Sequence, residues 1–180
     1  SMLFGTAVPI LQADNQALRS SLQHDALTGA LSRDTFMARA TLLLQQSTQS
    51  KQPLCLVIFD LDNFKQVNDQ FGHSAGDHAL TQVCDLVAKQ LRAQDFLGRF
   101  GGDELMLLLP NTTLAQANKL CDRLRQEIMQ LNIHTEKGQL TASFGVCQHS
   151  NEPSAEQWFS HADQALLHAK GLARIALGIV

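Results

Sequence analysis

Six apolar residues in a row, Leu54-Cys55-Leu56-Val57-Ile58-Phe59, end in Asp60-Leu61-Asp62. The run carries no polar residue and does not alternate, so it reads as a central strand buried on both faces. Such a strand requires packing partners above and below its sheet. The rest of the chain offers them. Ser32 can cap a helix that carries Phe36, Ala40, Leu43 and Leu44 on one face, followed by a polar loop over 45–52. Asn63 to Phe71 fits a short helix that Gly72 ends, and Leu80, Val83, Leu86, Val87 and Leu91 form a helical stripe. Thr113 with Gln116 makes a capping box for a helix bearing Leu114, Ala117, Leu120, Cys121, Leu124 and Ile128. Ser154 with Gln157 opens a last helix carrying Trp158, Ala162, Leu166 and Ala169. Phe96–Phe100 and Glu104–Leu109 read as strands joined near Gly101-Gly102, because paired glycines supply the positive φ of a tight turn. Leu140–Cys147 reads as another strand. This order of elements predicts an α+β fold, a sheet covered by helices.

Toward the N-terminus, Leu11 to Gln23 reads as helix, with Leu11, Leu18 and Leu22 at a/d-like spacing. Either this helix packs on its own domain or it is a stalk from an upstream module. The second is the expectation, with residues 1–24 as a helical linker and 25–180 as the functional domain. Ser1-Met2 reads as a remnant left by cloning, so a longer parent protein is expected.

With 180 residues, 44% of them hydrophobic, the chain is long enough for one domain with a substantial core. Its net charge of -3 gives no field that draws it to polymeric nucleic acid or anionic lipid. The four cysteines, Cys55, Cys84, Cys121 and Cys147, lie in apolar-periodic segments without a CxxC pair and read as core residues of a reducing compartment. The seven histidines show no zinc spacing. No segment is apolar and long enough to span a bilayer, so a cytoplasmic domain is expected, whether or not its parent is membrane-anchored.

Two acidic clusters stand at strand ends: Asp60 and Asp62 after the buried run, and Asp103 and Glu104 after the glycine pair. Carboxylates brought together this way can share divalent metal and so handle a nucleoside triphosphate. Each residue also has a plainer reading. The Gly-Gly turn can be an exposed turn kept soluble by acids, Asp60 or Asp62 can cap the next helix, and Asn68 and Asp77 can be surface polarity. His73 can be a structural histidine, and Lys170 and Arg174 the basic last turn of a helix. That all of them are coincidental is far less plausible than any one alone.

Several ordered segments resemble the GGDEF family of diguanylate cyclases. They are Asp25-Ala26-Leu27-Thr28-Gly29, the run from Phe59 to Asp69, Gly72-His73, Gly76-Asp77, Gly98-Arg99-Phe100-Gly101-Gly102-Asp103-Glu104-Leu105, Ser143-Phe144-Gly145-Val146, and Ala162-Asp163 with Ala169-Lys170. The match runs from about Asp25 to Arg174. The resemblance implies a central, mostly antiparallel sheet flanked by helices, akin to the palm of polymerases and nucleotide cyclases. It also implies condensation of two GTP into cyclic di-GMP. Two Mg²⁺ ions, with Mn²⁺ as a substitute, would be held by Asp60, Asp103 and the carbonyl of Leu61. Asp103 would accept a proton, with Glu104 as helper and Lys65 stabilising developing charge. The amides of Asn63, Phe64 and Lys65 would cradle phosphates. Asn68 and Asp77 would read guanine, His73 would line the pocket, Gly101 and Gly102 would let the backbone approach the nucleotide, and Lys170 and Arg174 would bind phosphate.

By the same resemblance, two chains must face each other, because each holds one GTP. Arg92-Ala93-Gln94-Asp95 resembles the family's inhibitory product site, against the plainer reading of a helix-end salt bridge. Departures are Leu105 in place of the usual aromatic, Leu167 in place of a tyrosine, and Ala173 and Ile175 beside Arg174. The competing expectation is a catalytically silent module that binds GTP or cyclic di-GMP. The input signal stays outside what the sequence can name.

Overall fold

The computed structural model describes residues 7–171. Its elements run α1 (Ala7–Gln23), α2 (Arg33–Ser50), β1 (Leu54–Leu61), α3 (Phe64–Phe71), α4 (His73–Gln90), β2 (Phe96–Gly101), β3 (Glu104–Pro110), α5 (Leu114–Met129), β4 (His134–Thr135), β5 (Gly138–Gln139), β6 (Ala142–Gln148) and α6 (Ala155–Ala169). The apolar run becomes β1, second from one edge of a four-stranded sheet of order β2-β3-β1-β6. Every pairing in it is antiparallel. The expected α+β architecture is therefore the observed one.

Alternation along β1 divides the core between two layers. Cys55, Val57, Phe59 and Leu61 face a cluster with α3, α4 and α5, where Val67, Leu80, Val83, Leu124 and Ile128 are buried. Leu54, Leu56 and Ile58 face the other way, onto Phe36 and Ala40 of α2 and Trp158 and Ala162 of α6. The four cysteines are unpaired, and burial pushes the Cys55, Cys84 and Cys121 thiols up to about 12, as suits inert core residues.

Capping follows the sequence closely. Ser32 accepts from the Thr35 amide, Thr113 and Gln116 close a capping box, and Ser154 accepts from the Gln157 amide. The polar loop expected over 45–52 is instead the last turns of α2, which stops at Lys51 in the left-handed conformation with its N–H on the Ser47 carbonyl. No glycine or proline interrupts that stretch, so polarity alone marked an exposed helix end rather than a break. The helix before it begins at Ala7, earlier than expected. Leu18 and Leu22 on α1 are 59% and 69% exposed, while the Leu11 side chain lies outside the described residues.

One close approach sets the position of α6. A Cβ on Gly145 of β6 would lie 2.3 Å from the Leu166 backbone nitrogen and 2.4 Å from the Ala162 carbonyl oxygen. Only glycine lets the helix backbone rest on the strand there. That contact carries the end of α6, and Lys170 with it, to the rim where β1 ends.

Candidate active site

β1 ends where β3 begins, with Asp60 opposite Glu104 on one side and opposite Ser143 of β6 on the other. Paired residues share a face, so Asp60 and Glu104 both project toward the α2 and α6 layer. Leu105, one residue on, is fully buried in the opposite layer, so its departure from an aromatic is a matter of packing away from the acids.

The Asp60 carboxylate is 19% exposed and its Oδ2 accepts from Lys170 Nζ at 2.5 Å. Its Oδ1 is buried and has no hydrogen-bond partner. A buried carboxylate oxygen without a donor is costly unless something cationic meets it. Asp103 and Glu104 show the same imbalance. Burial first, then the nearby Asp60 charge, raise the Asp103 carboxyl above its ordinary range, against its own backbone amide and Lys170. Burial raises Glu104 too, reinforced by Asp163, Asp60 and Asp103, against Arg33. Four carboxylates thus share this rim with two basic side chains, and the oxygen-only donor set suits a hard divalent cation such as Mg²⁺ or Mn²⁺.

Because the folded chain holds the Asp103 proton more tightly than the unfolded one, its contribution to stability is present below the unfolded carboxyl range. It is lost as pH rises through the folded value. At neutral pH and without divalent cations, the ionised Asp103 therefore works against folding. Asp103→Asn should raise Tm by about 1–3 °C in chelator-treated protein. Differential scanning calorimetry across pH checks this: the gain should vanish at acid pH, where the wild-type carboxyl is itself protonated.

The turn between β2 and β3 is built on Gly102, at φ 53, and Asp103. Asp103 thus sits in the turn itself, one residue before β3. Arg99 holds it. Its guanidinium donates twice to the Gly102 carbonyl, at 3.1 and 2.9 Å, and to both oxygens of Asp25 at 3.2 and 3.1 Å. Burial alone would raise the Asp25 carboxyl, but the Thr28 hydroxyl and amide and the Arg99 guanidinium outweigh it and hold it below the usual range. The segment after α1 is in this way tied to the backbone next to Asp103. The motif residues Asp25 and Arg99 were visible in the sequence, but their pairing across 74 residues had no local signal.

Asp62 takes neither a capping nor an exposed role. Its carboxylate accepts from Thr141 Oγ1 and Ser143 Oγ, which staples the end of β1 to β6. The residue at the start of α3 is Asn63, in the left-handed conformation and without a side-chain cap, so neither Asp60 nor Asp62 caps it. Among the described residues, no acceptor meets the amides of Asn63, Phe64 or Lys65. The Phe64 ring is buried and the Lys65 side chain is exposed. Asn68 lies against the start of α4, its Oδ1 1.7 Å from where a Cβ on Gly76 would be, which places it beside Asp77. His73 opens α4 and is exposed.

Asp60 thus stands opposite Glu104 and meets Lys170, with Asp103 in the turn one residue before Glu104. Asn68, His73 and Asp77 gather at the α3–α4 corner, joined to the rim through Asp62 and Asn63. Arg174 lies outside the described residues. Arg33 and Asp163 were not among the expected site residues. Asp163 is two helical turns before Lys170, a spacing that could have flagged it. Arg33 also stacks over Phe100 at 4.8 Å.

Arg92 and Asp95 stand at the opposite end of the β2–β3 hairpin, about 20 Å along the strands. Arg92 pairs with Asp95 at 3.0 Å and donates to the Pro110 carbonyl and the Thr112 hydroxyl, each at 2.7 Å. The helix-end ion pair is thus present, with the arginine partly exposed.

The comparisons with known proteins agree with this architecture. The family profile described as "Diguanylate cyclase, GGDEF domain" matches residues 22–174. The chain is 35% identical over 179 residues to "Diguanylate cyclase DgcP" of Pseudomonas aeruginosa, covering 94% of this chain and 26% of that protein. A crystal structure of diguanylate cyclase SiaD from Pseudomonas aeruginosa, in complex with its activator SiaC, is 33% identical with a TM-score of 0.78, over 94% of this chain and 66% of that one. The coiled coil and GGDEF domain of DgcB from Caulobacter crescentus, crystallised with c-di-GMP, matches in fold with a TM-score of 0.88 at 23% identity, over 94% of this chain and 92% of that one. The chain spans 26% of DgcP and 56% of another curated relative, so it corresponds to one part of longer proteins. By profile, sequence and fold together, this chain belongs to the GGDEF family of diguanylate cyclase domains.

Proposed function

We propose that the chain condenses two molecules of GTP into cyclic di-GMP, releasing pyrophosphate at each of two bond-forming steps. The observation that carries this reading is the rim: Asp60, with a buried oxygen that no protein donor meets, beside Glu104 and the arginine-held turn of Asp103. Asp60, Asp103 and the Leu61 carbonyl are the groups that would hold two Mg²⁺ ions, or Mn²⁺ in their place. When bound, such ions offset the triphosphate charge, polarise the α-phosphorus and lower the pKa of a 3'-hydroxyl.

The chain's own groups do the rest. The 3'-oxygen of one GTP bonds to the α-phosphorus of the other as the bond to the β-phosphate oxygen breaks. Asp103 accepts the hydroxyl proton and Glu104 assists it. Lys65 stabilises charge on the leaving pyrophosphate, the amides of Asn63, Phe64 and Lys65 cradle its oxygens, and Lys170 and Arg174 add cations. Gly101 and Gly102 leave the backbone open to the nucleotide. Asn68 and Asp77 pair with the N–H edge of guanine, which adenine lacks, and His73 lines that pocket.

Each chain holds one GTP, so the reaction needs two chains facing each other. The exposed Leu18 and Leu22 of α1 support a stalk that brings the two chains together, and an upstream sensory module is part of the same proposal. Arg92, partly exposed beyond the far end of the hairpin, would with Asp95 be the site where product binds and inhibits. Among the described residues no helix is long and apolar enough to cross a membrane. A cytoplasmic setting remains part of this proposal.

Incubating the protein with GTP and Mg²⁺, beside Asp103→Ala, tests the reading: wild type should form cyclic di-GMP and the variant should not. Nucleotide binding without product at high protein concentration would instead favour a silent receptor. Arg92→Ala should relieve inhibition by added cyclic di-GMP; unchanged inhibition counts against the product site. Arg99→Ala should lower turnover by about 10–100-fold through loss of turn placement, with KM for GTP little changed. An equal rise in KM would mean that Arg99 serves binding instead.

A further inference from the structure

A second cluster of ligating side chains lies at the other end of β6, away from Asp60. Among the described residues Glu152 is the one buried charged residue. It sits between β6 and α6 and forms no ion pair with lysine or arginine there; its partners are histidines. Its Oε2 accepts from the Ser150 amide at 2.9 Å. Its Oε1 lies 2.9 Å from His161 Nδ1 and 3.8 Å from Cys147 Sγ. Ligand atoms of these three residues all lie within 4.8 Å of one another.

We propose that Cys147, Glu152 and His161 form a binding site for a zinc-like divalent transition metal, separate from the catalytic rim. Bond lengths of about 2.0–2.3 Å on a tetrahedral ion set neighbouring donors about 3.3–3.6 Å apart, and the observed atoms are within roughly an ångström of that. Mixed sulfur, nitrogen and oxygen donors favour zinc over Mg²⁺, the reverse of the all-oxygen rim. The carboxylate is anchored and oriented by the Ser150 amide, as a ligand needs to be. His161, with its side chain 49% exposed, is free to turn onto an ion. His149, packed edge-on to Trp158 with its Nε2 3.8 Å from Glu152 Oε2, stands beside the set, and water completes the coordination. A cleft of about 460 Å³ lined by Leu44, Thr48 and His149 reaches Glu152 from outside. Cys147, whose thiol burial and the Glu152 charge push up to about 11, gives up its proton to solvent as the metal–sulfur bond forms. The bound ion would join the end of β6 to the middle of α6, about 13 Å along the helix from Lys170.

The test is a Co²⁺ titration near neutral pH with Mg²⁺ in excess, followed by displacement with Zn²⁺ in competition with a chromophoric chelator. The wild-type chain should take up one Co²⁺ with a near-ultraviolet thiolate-to-cobalt band and d–d bands of tetrahedral strength. Cys147→Ser should remove the thiolate band. Cys147→Ser and His161→Gln should each weaken Zn²⁺ at least about 10-fold. Asp60→Asn should leave band and affinity unchanged, which separates this site from the rim. Zn²⁺ should raise the wild-type Tm but not that of Cys147→Ser. Absence of the thiolate band, or an affinity that neither Cys147→Ser nor His161→Gln alters, overturns the proposal. Both substitutions are at partly exposed positions, so circular dichroism can confirm that the variants are folded before they are compared.

Discussion

Asp60→Asn is expected to lower the initial rate of cyclic di-GMP formation by about 10³-fold or more while the chain stays folded. The substitution keeps the shape of the side chain and its ladder position between Glu104 and Ser143. What it removes is the negative charge that Lys170 now meets on one oxygen and that nothing in the described protein meets on the other. The structural cost is small, because relieving a buried oxygen that no donor meets offsets the weakened contact with Lys170. Activity and stability should therefore separate: the rate collapses while Tm moves by only a few degrees. An Asp60→Asn variant that kept a tenth of wild-type turnover would show that this carboxylate is not a metal ligand. Parallel melting curves guard against the trivial explanation of unfolding.

Phe36→Ala should remove about 3–5 kcal/mol of stability, a large part of what a single domain possesses. Phe36 is fully buried and fixes α2 against the sheet. Its ring stands edge-on to Phe100 at 6.2 Å and to Phe159 at 6.0 Å, so it touches the strand of the signature hairpin and α6 at once. It also fills the space above Gly98, where a Cβ would come within 2.4 Å of the ring. Truncation leaves a cavity that a glycine below cannot fill and that three elements cannot jointly close. Urea unfolding should show a clear drop in midpoint at unchanged m-value. A loss under about 1 kcal/mol would mean that the layer repacks far more freely than this geometry allows.

Much of this fold could be read from the sequence where local chemistry and burial agree. The Leu54–Phe59 run, the Gly-Gly turn and the caps at Ser32, Thr113 and Ser154 each carry their signal within a few residues. The misreadings share a cause. The end of α2 is polar because it is solvent-exposed, and polarity does not end a helix unless something stops it, as Lys51 does. The β4–β5 hairpin has two residues per strand, too few for alternation to register. In the site, the acids announced themselves by following strands. The groups that position them did not, since Arg99 meets Asp25, and Asp62 meets Ser143, only after the chain has folded back on itself. Cys147, Glu152 and His161 stayed hidden for a related reason: a strand end, a loop and a helix bring them together at spacings that match no linear zinc pattern.

On the mechanism proposed above, carboxylates from β1 and from the β2–β3 turn jointly hold divalent cations beside a guanine nucleotide. Electron paramagnetic resonance can count bound Mn²⁺ in the presence of a non-reactive GTP analogue. The wild-type chain should bind two Mn²⁺ with the nucleotide, and Asp60→Asn and Asp103→Asn should each lose Mn²⁺ while both variants stay folded. Unchanged Mn²⁺ occupancy in both variants would rule out these carboxylates as the cation site.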